Sequence, residues 1–430
     1  MRVAVIGAGI IGCSSALELT RKGFEVTVLD RLGEAGHGTT GASCGIVRRF
    51  YSRPEMISVA HEAASIWAAW PEHVGPIGEE TAVFHRPGVL FLFPRLDETV
   101  ERAVAHMTKI GVRFALLSAA QVRERFPYLD TASYFPAKLP DDPAFLAPSS
   151  PEIGGAIFEE DSGYVVSPGL ATHNVRLAAE REGVRFRLNR EVVEIRKAAP
   201  GRFDVVTRPG EVLEAEALLN AAGPHSARVN DLAGVRLPLT TRALRREVHA
   251  VPNPLWQEPG ADPLPVVGDL DGGIYFRPET GGKDLIVGSS DPECDPKEWL
   301  DDPDNCEGRV TDPYRERQCL RLMRRFPRVR LGPRRGIASL YDVTVEDWYP
   351  IVDRTDLPGY YVAIGTSGSS FKTAPVLGRL VAEIVQACEG GRDTDRDPVR
   401  LELPRTGQSV DGGFLSRRRG PAATTGTVIG

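Results

Sequence analysis

Residues 1–30 read MRVAVIGAGIIGCSSALELTRKGFEVTVLD. Arg2 to Ile6 is a short, β-branched apolar run of the kind a buried strand needs. Gly7, Gly9 and Gly12 follow it as G-x-G-x-x-G, and Cys13, Ala16 and Leu17 then recur at helical spacing until Gly23 closes the helix. A second strand, Glu25 to Leu29, ends on Asp30, close to the roughly 20-residue distance from the last glycine that a mononucleotide-binding βαβ unit shows.

Each of these residue types has a physical task. Gly7 permits the tight turn, Gly9 lets a pyrophosphate approach the backbone, and Gly12 lets helix and strand pack closely. The helix N-terminus offers free N–H groups and a positive dipole end to phosphates. Asp30 can accept the hydroxyls of an adenosine ribose and disfavours a 2′-phosphate, hence NADP. The alternatives are a secretory signal and a purely structural glycine turn. Glu18, Arg21 and Lys22 interrupt the first, and the second leaves the glycine spacing to coincidence.

The 430 residues are enough for two domains, each with its own core. Hydrophobic content of 42% and charged content of 26% are those of an ordinary globular protein. A net charge of −6 gives no reason to expect nucleic acid as a partner, and no apolar run approaches the ~20 residues of a membrane helix. The six cysteines (13, 44, 294, 306, 319 and 388) include no C-x-x-C pair, which argues against structural zinc and a disulfide framework and for a reducing cytoplasm. No metal ligand set is evident. Oligomeric state is not legible.

Along the chain, Gly33 to Gly45 (GEAGHGTTGASCG) is too polar and glycine-rich to be core and is placed to wrap a cofactor. Residues 131–152, rich in Pro, Asp and Ser, read as a long loop such as a lid. Val212 to Asn220 leads into the small-residue turn Ala221-Ala222-Gly223-Pro224. Tyr360 to Ile364 is an apolar strand, Gly365 to Phe371 a Gly/Ser turn, and Ala374 to Cys388 an amphipathic helix, a second cofactor-like device. A helix start aimed at a flavin stabilises the anionic reduced ring. Three segments with turn chemistry (1–50, 191–226, 336–378) imply one cofactor domain interleaved with another domain. Pro404 to Gly430, without periodicity, reads as a disordered tail.

The chain resembles the FAD-dependent amino-acid oxidase superfamily over about residues 1–400, nearest the branch with monomeric sarcosine oxidase, glycine oxidase and dimethylglycine dehydrogenase. The motifs are G-A-G-I-I-G with Asp30, G-A-S-C-G-I-V-R (41–48), N-A-A-G-P-H-S (220–226), Y-D-V-T (341–344) and G-T-S-G-S-S-F-K (365–372). The resemblance implies an α/β fold, a Rossmann-like FAD-binding domain (1–80, 153–231 and 336–400) interleaved with an α+β substrate domain built on an antiparallel sheet (81–152 and 232–335). By the same resemblance Gly7, Gly9, Ile11, Gly12 and Asp30 hold the ADP half, with Ala222 and Gly223 beside it, and Val193 meets the adenine through its backbone. Ser43, Cys44 and Arg48 lie by the flavin, and Gly368, Ser369, Ser370 and Lys372 cover its pyrimidine side. Lys372 matches a lysine that grips the substrate carboxylate, with Arg48 or Arg49 completing the charge, and Tyr275 matches a substrate-site tyrosine. Read without the resemblance, Tyr275 is an ordinary strand residue and Lys372 a helix-start surface lysine.

Departures from the family pattern are equally specific. The cysteine that bonds the flavin falls at Ser339, and no histidine occupies 41–48, so non-covalent FAD is expected. The second carboxylate-binding arginine falls at Tyr51, the lysine that assists oxygen reduction at Ile286, and an active-site histidine at Ser290. The expected reaction is hydride transfer from the carbon beside nitrogen of a small amine or amino acid to flavin N5, giving an imine that hydrolyses. Oxygen or another acceptor then reoxidises the flavin, and Lys372, Arg48 and Tyr275 are the residues expected at the reacting end. A flavin hydroxylase and a non-catalytic flavoprotein subunit are the alternatives. Hydroxylases carry a late G-D motif where this chain has Gly-Thr-Ser-Gly.

Overall fold

The computed structural model describes residues 1–199, 201–258 and 263–420, together with 424 and 427. Its first strand, Arg2–Ile6, sits inside a six-stranded sheet. Parallel neighbours Glu25–Leu29 and Ala217–Asn220 flank it, Arg185–Arg187 and Tyr360–Ile364 lie beyond them, and Ile351–Arg354 forms an antiparallel edge. The continuous apolar run of residues 3–6 is explained by burial on both faces. Val3 and Val5 pack with the helices, whereas Ala4 and Ile6 join Ile195, Phe203 and Val205 of a three-stranded antiparallel sheet. Helix Ile10–Arg21 lies against Ala374–Glu389 so closely that a side chain at Gly378 would meet the Ser14 backbone at 2.7 Å.

A nine-stranded, mostly antiparallel sheet forms the second layer. Its long strands Thr241–Pro252 and Gly336–Thr344 pair throughout, Val266–Asp269 runs parallel to Val89–Phe93, and Gly155–Glu159 lies between 89–93 and Phe114–Leu117. The expected α/β class with a Rossmann-like unit and an antiparallel partner sheet is therefore what forms. The boundaries drawn at 153 and 336 need correction. Strands 155–159 and 336–344 hydrogen-bond into the antiparallel sheet, because their partners are there and not in the parallel sheet.

Two loop expectations also change. Residues 131–152 border neither of the cavities lined by the 7–12, 41–48 and 365–372 motifs. Guanidiniums of helix Asp312–Arg325 hold the segment through its carbonyls: Arg325 bonds Asp130 O and Ala132 O, Arg321 bonds Lys138 O, and Arg324 bonds Phe145 O. Buried carbonyls need donors, and an arginine-rich helix supplies them. The segment is an anchored surface loop, not a lid.

Of residues 404–430, expected to be a disordered tail, 404–420 are ordered, and the rest apart from 424 and 427 lie outside the described residues. A hairpin pairs Arg400–Leu403 with Gln408–Asp411, and Leu415 and Arg417 are buried. Arg417 bonds Asp353 at 3.0 Å, Asp395 at 2.6 Å and Asp356 at 2.6 Å, and Glu62, fully buried on helix Pro54–Ala68, accepts from Thr406 N at 3.0 Å. Removing one member of a buried ion pair leaves an uncompensated charge costing about 3–5 kcal/mol. Arg417→Met is therefore expected to destabilise the fold by that order, read as a lowered denaturant midpoint at unchanged slope.

Candidate active site

The glycine fingerprint is built as its spacing requires. A side chain at Gly12 would overlap the Gly7 carbonyl, and one at Gly7, whose φ is +112°, would overlap Ala221 O. Gly7 N donates to Leu29 O at 2.8 Å and Ile10 N to Thr40 Oγ1 at 3.3 Å, fixing the helix start against the 33–45 loop. Asp30 accepts from Ala8 N at 2.7 Å on one oxygen and from Leu32 N at 2.8 Å on the other. The carboxylate thus orders the glycine turn as well as facing the cavity.

That cavity, of about 570 Å³, is bordered by Gly7, Gly9, Ile11, Asp30, Ala222 and Gly223. Val193 does not border it. The strand Glu191–Ala199 has a register shift between Val192 and Glu194, and it is Val192 that faces in, which corrects the expectation for 193. At the rim Asp304 meets Arg31 at 2.5 Å and His225 at 3.0 Å, a contact between distant segments that the sequence did not signal.

A second cavity of about 150 Å³ continues from the first, the two sharing Ile10, Thr40, Ser339 and Thr366. Ser43, Cys44, Arg48, Tyr275, Gly368, Ser369, Ser370 and Lys372 all border it, so the loop 41–48, the antiparallel sheet and the 365–372 turn converge. Arg277 donates to Cys44 O at 2.8 Å, and Cys44 Sγ lies 3.4 Å from Tyr275 Oη. Burial pushes both the thiol and the phenol above their ordinary range. Three motifs join at Asp342: its carboxylate accepts from Gly365 N at 2.6 Å and Ser226 Oγ at 3.2 Å, and burial raises it to about 7.

Lys372 is 4% exposed; its Nζ donates to Ser369 O at 2.6 Å and Tyr51 Oη at 3.1 Å, with no acidic side chain among its partners. Burial, and then the neighbouring Arg48, hold its amine well below the ordinary lysine range. The Arg48 guanidinium lies 4.0 Å over the Tyr51 ring and donates to Phe50 O. The surface reading of Lys372 and the ordinary-strand reading of Tyr275 therefore give way to cavity positions. Arg49 points elsewhere, to Ser162 and His61, and its N–H to Glu159. Arg53 reaches Phe414 O.

The sequence reading did not anticipate Arg246 or Tyr341, which also border this cavity. Arg246 is bonded by Asp291 and by Ser289 O. Tyr341 packs against Gly368, where a Cβ would overlap its ring. Ile286 and Ser290 border neither cavity. The strand between them is screened, because Tyr275 lies over Gly288, 2.5 Å from where a Cβ would stand.

A carboxylate, a glycine turn at a helix start and a Gly/Ser turn along one continuous cavity define the dinucleotide-dependent oxidoreductase class. The chain belongs to the DAO family of FAD dependent oxidoreductases, whose model matches residues 2–384. It is 26% identical over 432 residues to the Xenopus laevis FAD-dependent oxidoreductase domain-containing protein 1, covering 91% of this chain and 80% of that one. It is 24% identical over 397 residues to the Homo sapiens peroxisomal sarcosine oxidase, covering 88% and 90%. The fold matches the crystal structure of L-proline dehydrogenase from P. horikoshii with a TM-score of 0.74 at 21% identity, over 97% and 96% of the two chains. FAD is the cofactor of this family, and the residues present fit it: the Asp30 carboxylate could accept from a ribose, the backbone at Gly9 could approach a pyrophosphate, and the second cavity would take the ring.

Asp30→Ala is expected to weaken FAD retention by about 1–3 kcal/mol, one lost charge-assisted hydrogen bond, measured by fluorescence titration of the apoprotein. With Ser339 in the cavity wall and the nearest thiol, Cys44, held protonated by burial, acid precipitation is expected to leave a colourless pellet and a yellow supernatant.

Proposed function

We propose that the protein oxidises a C–N bond of a small amino acid or secondary amine bearing a carboxylate. The carrying observation is Lys372, a buried amine whose partners are a carbonyl and a phenol, set beside the Arg48 guanidinium in the cavity next to the Gly/Ser turn. A buried amine without an acidic partner carries its charge only when an anion joins it, and a substrate carboxylate meets that need. The sarcosine oxidase and L-proline dehydrogenase to which the chain is similar are named for substrates of this kind.

When bound, FAD supplies the two-electron acceptor. The residues of the chain bind and orient. Arg48 and Lys372 fix the carboxylate, and so the position of the carbon between it and the nitrogen. Tyr275 and Tyr341 keep their phenolic protons, since burial raises both, the second to about 12. They offer the amine a hydrogen bond without charging it. Asp342, the one acid bordering the cavity among the described residues, is engaged by Gly365 and Ser226, and an amine that arrives neutral needs no general base. We further propose a cytoplasmic location, which the six free cysteines fit, and oxygen or another acceptor as oxidant. No helix among the described residues is long and apolar enough to cross a membrane.

Lys372→Met is expected to reduce kcat/KM for a carboxylated substrate by about 2–4 kcal/mol in transition-state terms and to affect an amine without a carboxylate far less. Equal losses on both would assign Lys372 to the flavin. The pH dependence follows from the lowered amine. Above its folded pKa the free amine is neutral, an anion favours the charged form, and binding takes up a proton. Affinity for a carboxylate inhibitor therefore falls as pH rises through that range, and the slope disappears in Lys372→Met.

A further inference from the structure

We infer that the substrate is a neutral amino acid, or its N-alkyl form, with an apolar side chain of several carbons, rather than glycine, sarcosine, a dicarboxylic or a diamino acid. This rests on the C–N oxidation reading above and names its substrate class. Strand alternation turns one face of the antiparallel sheet to the cavity, and that face is aliphatic along one strip. Val89 and Val266 stand side by side in register and are each 1% exposed, while half-buried Val248 and its register partner Ile337, 55% exposed, stand apart from them beyond the strands of Tyr275 and Gly288. Phe91 does not block the strip. Its ring lies across Gly268, 2.7 Å from where a Cβ would be, in the register pair next to Val89–Val266.

The strip starts beside the anion corner, for the Arg48 guanidinium is 6.0 Å from the centre of the Phe91 ring and 4.0 Å from that of Tyr51. A carboxylate held by Arg48 and Lys372 therefore leaves the side chain to run along Val89 and Val266. A second charge finds no match there. Arg246 is already bonded by Asp291, and the Asp342 carboxylate by Gly365 N and Ser226. Burying an unmatched charge is costly, whereas each buried methylene is favourable.

The test is anaerobic bleaching of the bound flavin in the full-length holoprotein by glycine, sarcosine, alanine, leucine, phenylalanine, glutamate and lysine, the chiral ones as racemates. The second-order rate constant for leucine or phenylalanine is expected to exceed that for glycine by about 30-fold or more, with glutamate and lysine below alanine. In Val266→Phe the loss should fall on leucine about tenfold more heavily than on alanine. If that variant fails to retain FAD, the wild-type series decides by itself. Glycine, sarcosine, glutamate or lysine matching leucine would overturn the inference while leaving C–N oxidation standing. A variant with equal losses on leucine and alanine would remove Val266 from the wall and overturn it as well. Bleaching by none of the amines would overturn the parent reading and this one together.

Discussion

The Asp342 carboxylate is the point on which the two layers of the molecule are joined. It sits on the antiparallel strand 336–344, yet its hydrogen bonds go to Gly365 N, at the end of a parallel strand, and to Ser226, at the start of the helix after another. Asn220, the last residue of that second parallel strand, donates to the Ser226 carbonyl at 2.9 Å and so ties the strand itself to the same knot. A buried carboxyl without donors would be expensive. With these donors it sets the distance between the floor of the site, the 365–372 turn, and its roof, the antiparallel sheet. Gly365 fits the same place only because it lacks a side chain: with φ +66° it lies against Thr344, where a Cβ would overlap.

Given that spacing, the charges follow. Lys372 is anchored from behind, its carbonyl accepting from Trp67 at 2.7 Å while its amine faces Ser369 O and Tyr51. Tyr51, the position where relatives in this superfamily are expected to carry an arginine, donates to the same Ser369 carbonyl at 3.0 Å and carries the Arg48 guanidinium on its ring. The aromatic residue thus does not delete the positive corner. It supports the two cations that form it, replacing a third charge by a hydrogen bond and a cation–π contact.

What could be read in the sequence was what is local. The fingerprint 7–12, Asp30, the loop 41–48 and the turn 365–372 each show their chemistry within a dozen residues, and each lies along the cavities. What was missed is held by distant partners. Arg246 lies between Arg245 and Glu247 in a strand, a pattern that resembles a solvated edge until Asp291 is brought to it. The segment 404–420 has no periodicity because polar contacts order it, Arg417 to three aspartates and Glu62 to the backbone of 405–406. Val193, carried over from the family resemblance, falls one residue off the cavity-lining Val192, beside the register shift between Val192 and Glu194.

The same reasoning explains why the substitutions at 286 and 290 leave a coherent site. Phe91 at Gly268, Tyr275 at Gly288 and Tyr341 at Gly368 repeat one arrangement, a ring occupying the space that a neighbouring glycine leaves open. The ring of Tyr275 occupies the face through which strand Asp284–Ser289 would otherwise reach the cavity, so charged groups at 286 and 290 would have nothing to act on there. On one side of that strand the wall carries Tyr275, and on the other Arg246 with, one strand further, Tyr341. Because the roof is an antiparallel sheet, each inward position can change without disturbing its neighbours' hydrogen bonds. The parallel sheet and its glycine turns cannot tolerate such changes, since Gly7 and Gly12 already touch backbone.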